Sequence, residues 1–249
     1  MKHRFISLLL FFTLLGGLVS CGKDKIAPVS GKDAELNRCL KFSAKKQYKE
    51  AVDCLEVYKS RYQGEGGAEA DLYIGDNYFR QKDYLLAAET YQQFLKDNPY
   101  HAKQDYGYFK SGMSYYLDAP KSIDRDLGHL DLAAKNLAIV GQYFPGSSYV
   151  SDAGAFHHKA LAKLAAKEFY VARFYYKYGE YLASIPRFDK ILREYPGVGY
   201  DEKCFYYLIM ASIKTKQAEL ARQAFLVFEQ RYPQSSQVKD LRQKLISAF

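Results

Sequence analysis

Residues 75–99 read GDNYFRQKDYLLAAETYQQFLKDNP. Taken as a pair of helices, this stretch sets Gly75, Tyr78, Tyr84, Ala87, Tyr91, Phe94 and Pro99 at offsets that alternate small, bulky and helix-ending residues. Gly75 on the first helix and Ala87 on the second carry almost no side chain, so the two axes can approach closely while Tyr78, Tyr91 and Phe94 fill the space around the contact. Pro99 stops the second helix, because its ring cannot accept the preceding turn. One such unit cannot bury its own apolar face, so stacked copies are expected.

These offsets resemble those of a tetratricopeptide (TPR) repeat, and the predicted class is all-α, a TPR solenoid of five helix pairs, about ten helices, with a carboxyl-terminal capping helix. Composition agrees: 24 Tyr and 16 Phe with no Trp and only 7 Pro among 249 residues describe helices packed through aromatic knobs. The formal charge of +8 falls to +6 without residues 1–20, whose only charges are Lys2 and Arg4. The remaining Lys and Arg are scattered among 28 acids rather than gathered in a stripe, which argues against nucleic acid and suits an anionic membrane surface or an acidic partner.

The amino end reads as an address. MKHRF is positive, ISLLLFFTLLGG is apolar but too short to span a bilayer, and Leu18-Val19-Ser20-Cys21 supplies small residues for cleavage, so 1–20 is expected to be a signal peptide. The tetrapeptide resembles a bacterial lipobox, which implies that Cys21 becomes the acylated first residue of the mature chain; the other reading is an ordinary signal with a Cys nearby. Acyl chains anchor at ~0.8 kcal/mol per buried methylene. Gly22 in place of Asp resembles the sorting pattern for the outer membrane, and 21–32, with Gly at 22 and 31 and Pro28 between, reads as a tether reaching roughly 35–40 Å.

Five repeats are expected at 33–63, 67–99, 102–145, 148–196 and 199–233, with 234–249 as the cap. In the first, Cys39, Phe42, Tyr48, Ala51, Leu55 and Tyr58 take the places of the type repeat, and Gly64-Glu65-Gly66-Gly67 replaces the stopping Pro as a turn; with no following Lys-Ser/Thr it is no phosphate loop. Cys39 and Cys54 flank the Gln47 turn at nearly equal distances, and a disulfide and a pair of unrelated buried thiols are both open. The third repeat pairs 106–117 with 127–144 across a loop, DAPKSIDRD (118–126), expected to be exposed, with Asp126 as a helix cap. One helix of about thirty residues is expected from Ser148 to Gly179, its second half pairing with 181–195.

Three segments, FPGSSYVSDA (144–153), IDRD (123–126) and VARFYYKYGEYLASIPRFDKILREYP (171–196), resemble the BamD family, the YfiO-type lipoproteins of the outer-membrane β-barrel assembly machinery. The resemblance implies a periplasmic-facing, lipid-anchored outer-membrane scaffold whose carboxyl-terminal repeats bind the periplasmic domains of BamA and whose amino-terminal repeats accept unfolded barrel precursors. Tyr178 departs from it, standing where the family commonly has Arg. By solenoid geometry the first helices line the concave side, which makes Tyr73, Asp76, Arg80, Tyr106, Phe109, Lys110 and Met113 the candidate peptide-binding groove, with Phe109 and Met113 equally readable as inter-repeat packing. Tyr176, Glu180 and Arg187 match the family motif and are candidates for the BamA contact or for a solvated salt-bridging face. The alternative function is a TPR lipoprotein scaffold for cell-wall or envelope complexes. No catalysis, metal or cofactor is expected: His157 and His158 are adjacent, about 100° apart on a helix, and no nucleophile elbow or P-loop is present.

Overall fold

The computed structural model describes residues 31–249; the expected signal peptide, Cys21 and all but the end of the expected tether lie outside the described residues. The described residues form eleven α-helices and no strand: α1 (Lys32–Ala44), α2 (Tyr48–Arg61), α3 (Glu65–Gln81), α4 (Tyr84–Asp97), α5 (Gln104–Asp118), α6 (Gly128–Tyr143), α7 (Val150–Lys177), α8 (Tyr181–Glu194), α9 (Asp201–Lys214), α10 (Ala218–Arg231) and α11 (Gln237–Ala248). Consecutive helices pack pairwise into a TPR-type solenoid, and α11 lays its buried Leu241 over the last pair. No helix among the described residues is long and apolar enough to cross a membrane.

Close approach sets the pairing. A Cβ on Gly75 would stand 2.7 Å from Cε1 of Tyr91, and one on Gly112 would stand 2.6 Å from Cγ of Leu137, so a methyl at either position would force the facing side chain to shift. Tyr91, Phe94, Ala87 and Ala88 are fully buried around the first contact. The second helices of the last four repeats each end two residues before Pro99, Pro145, Pro196 and Pro233, as a ring that blocks the α conformation of the preceding residue requires.

The turns inside the hairpins follow one rule. Lys46, Lys82, Gly179 and Lys216 adopt left-handed backbone, with φ of 61°, 68°, 83° and 59°. The next residue's N–H then closes the helix end, as Asp83 N–H does on Tyr78 O at 3.0 Å and Glu180 N–H on Tyr175 O at 3.0 Å. The third repeat replaces this turn with the 118–126 loop, where Asp126 Oδ1 accepts the Gly128 N–H at 3.0 Å.

Two details depart from expectation. The glycine cluster is not simply a turn: only Gly64 has positive φ, and Gly66 and Gly67 lie in the first turn of α3. A Cβ on Gly66 would meet Lys32 Cε at 2.8 Å, and one on Gly67 would meet Tyr62 O at 3.3 Å. Helix α1 starts at Lys32, inside the span expected to be tether. Pro186 stands inside α8 without ending it, on an exposed face. Cys39 and Cys54 are joined by a disulfide with Cα atoms 5.3 Å apart, linking α1 to α2 across a sequence separation of 15. A loop of that length contributes about 3 kcal/mol by restricting the unfolded chain. It fastens the one terminal helix pair with no repeat stacked outside it among the described residues, beside an Arg61–Glu35 ion pair at 2.6 Å.

Candidate functional site

The concave candidates come from α3 and α5, and their three- and four-residue spacing aims them the same way. Asp76 is the hub. Its Oδ1 accepts the hydroxyl hydrogens of both Tyr91 and Tyr106 at 2.5 Å. Burial first, and the Asp76 charge second, push both phenols above their ordinary range, so both remain donors at neutral pH. Lys110 lies with Nζ 3.5 Å above the Phe79 ring, and burial lowers its pKa against the opposing pull of Asp76.

Tyr73, Asp76 and Tyr106 share a cavity of about 460 Å³ with Lys103, Asp105 and Tyr149. Phe109 is buried and stacks on Tyr149 with centroids 5.0 Å apart, so its ring belongs to packing rather than to the open groove. Met113 packs against the same core cluster, and Arg80 is exposed at the end of α3. Tyr149, Lys103 and Asp105 were not anticipated. Tyr149 reaches the groove because Ser147 donates to Asp105 at 2.6 Å and pins the turn after α6; its place in FPGSSYVSDA is the one signal that pointed to it.

At the other end, Tyr176 is half-buried between Tyr181 and Tyr207, 5.2 and 4.9 Å away by ring centroid, and burial pushes its hydroxyl up to about 12. Arg187 lies 5.0 Å over the Tyr175 ring and 3.6 Å from Glu168, which also accepts Lys190 at 2.8 Å. Glu180 is exposed at the turn before α8. Tyr176 is thus mainly a packing residue, while Glu180 and Arg187 remain reachable. No three His, Cys, Asp or Glu side chains come together as metal ligands among the described residues.

The family model of YfiO, an outer membrane lipoprotein, matches residues 38–217. The outer membrane protein assembly factor BamD of Neisseria gonorrhoeae is 30% identical over 200 residues, covering 76% of this chain and 74% of that protein. That of Rickettsia prowazekii is 25% identical over 234 residues, covering 92% and 91%. Among solved structures, the TPR2AB domain of yeast Sti1 in its pHSP90 complex is similar at a TM-score of 0.42 and 12% identity, covering 87% of this chain and 82% of that one. With the family model spanning well over half its length, the chain belongs to the YfiO family of outer membrane lipoproteins.

Proposed function

We propose that this chain is a non-enzymatic scaffold of the outer-membrane β-barrel assembly machinery, anchored through acylated Cys21 to the periplasmic face of the outer membrane. The observation that carries the reading is kinship with outer membrane protein assembly factors over about three quarters of the chain. In this reading the cavity around Asp76 accepts an extended segment of an unfolded barrel precursor. Tyr73, Tyr106 and Tyr149 supply apolar faces, and Lys103 and Asp76 supply single charges that fix register. Glu180 and Arg187, with Tyr176 behind them, meet the periplasmic domains of BamA.

A photoreactive residue at Tyr73 or Tyr106 should trap a synthetic peptide copied from the carboxyl end of a barrel precursor. The same residue at exposed Gln93, on the second helix of the repeat, should trap it at least about tenfold less. Equal trapping at the three positions would overturn the groove assignment.

A further inference from the structure

A second groove of different chemistry lies in the carboxyl-terminal half, between α7, α9 and the 118–126 loop. Tyr170, Phe174 and Tyr178 follow one another at four-residue spacing along α7 and are 59%, 52% and 65% exposed. A soluble helix rarely leaves three consecutive aromatic rungs in water without a partner. They border a cavity of about 620 Å³, whose far wall includes Ile123 of the 118–126 loop and Lys203 of α9. The loop is tied back onto α7, since Lys163 donates to Pro120 O and Lys167 donates to Arg125 O at 2.6 Å, so this wall is preformed. A second cavity of about 380 Å³ shares Phe169, Arg173 and Lys203 and runs on to Gln237 of α11.

Three cations, Arg173, Lys177 and Lys203, line this groove, and no Asp or Glu lines either cavity. None of the three forms an ion pair among the described residues; Arg173 lies 5.4 Å over the Tyr207 ring and Lys177 5.8 Å from Tyr178. At the groove's far end stands the Gln237 side chain, whose Oε1 is buried without a hydrogen-bond partner. Apolar rungs and unpaired positive charge in one channel describe the complement of an extended polypeptide carrying acidic and apolar side chains.

We propose that the groove bounded by the 118–126 loop, α7, α9 and the start of α11 binds an extended acidic, apolar segment of a partner protein, at a place separate from the Asp76 cavity. The test uses the purified full chain and fluorescence anisotropy with a labelled synthetic peptide alternating Glu and Phe. The expected result is saturable binding that weakens about tenfold or more when Lys177→Glu and Lys203→Glu are combined. The same pair of changes should raise affinity for a matched peptide alternating Lys and Phe, while Lys239→Glu on the outer surface of α11 changes neither. Phe174→Ala should weaken both peptides alike. All these side chains are exposed, so the variants keep the wild-type helical signal. Equal binding of the two peptides by the wild type would overturn the proposal. So would displacement of the acidic peptide by phosphatidylglycerol vesicles or oligothymidine, which would mark a membrane or nucleic-acid surface instead.

Discussion

The two halves of the solenoid are built on one repeat geometry and treat their polar groups in opposite ways. In the amino-terminal half the central carboxylate is satisfied from within, by two tyrosine hydroxyls at 2.5 Å, and the neighbouring Lys110 is sheltered over Phe79. In the carboxyl-terminal half three cations and three aromatic rungs face an open channel without internal carboxylate partners. A residue whose partners are internal stabilises the fold, and one whose partners are missing is available to a ligand. The contrast teaches that removing Asp76 should register as lost stability as well as lost peptide binding, whereas substitutions in the second half should register as affinity alone.

The sharpest way to break that contrast is to compare Asp76→Ala with Arg173→Ala. Removing Asp76 strips a charged acceptor from two tyrosine hydroxyls, and Tyr91 is fully buried, with no route to water in its place. The expected cost is about 3 kcal/mol. Arg173→Ala removes a cation with no carboxylate partner and should change stability by no more than about 0.5 kcal/mol. Urea unfolding followed by circular dichroism measures both, and comparable costs at the two sites would erase the distinction.

A smaller effect sharpens the same comparison through glycine. Gly75→Ala gains about 1 kcal/mol of helix propensity, yet its methyl would lie 2.7 Å from the ring of Tyr91, whose hydroxyl is fixed on Asp76. Overpacking against a held ring costs about 1–3 kcal/mol, so the net change should be a loss near 1 kcal/mol. Gly154→Ala on α7, where nothing lies within 4 Å, should instead raise stability by up to about 1 kcal/mol. The same urea midpoints decide it; equal signs at the two glycines would show that Tyr91 is free to move.

The architecture was legible because its markers are local. A small residue opposite a ring and a Pro after the second helix can be counted along the chain, and that count placed Gly75, Ala87 and Pro99 and the repeat ends at 145, 196 and 233. Tyr73, Asp76 and Tyr106 were legible for the same reason, since helical spacing puts them on one face. Tyr149 was not, because it enters the groove only when the turn after α6 folds back onto Asp105, a contact across 42 residues. The disulfide stayed open in the sequence because Cys54 sits a residue off the facing positions, and only the actual helix rotation brings the Cα atoms to 5.3 Å. The unpaired state of Arg173, Lys177 and Lys203 is likewise a tertiary fact, since carboxylates are plentiful nearby in sequence. The glycine run at 64–67 misled because glycine serves both turns and close approach, and the chain uses it for both.

The hairpin turns offer the finest test, since two repeats, one in each half, solve one backbone problem with different residues. The second repeat turns at Lys82 and the fourth at Gly179, both left-handed. A side chain with a Cβ in that region carries roughly 1–2 kcal/mol of steric cost, partly offset because glycine gives up more unfolded-state entropy. Lys82→Gly should therefore raise stability by about 0.5–1 kcal/mol, and Gly179→Ala should lower it by a similar amount, with no open-space penalty beyond the backbone because nothing lies within 4 Å of Gly179. Lys82 is exposed and has no ion pair among the described residues, so the gain is not masked by a lost contact. If Lys82→Gly destabilised the chain as much as Gly179→Ala, the turn would be held by something other than its left-handed geometry, and the two halves would differ at this position in more than residue type.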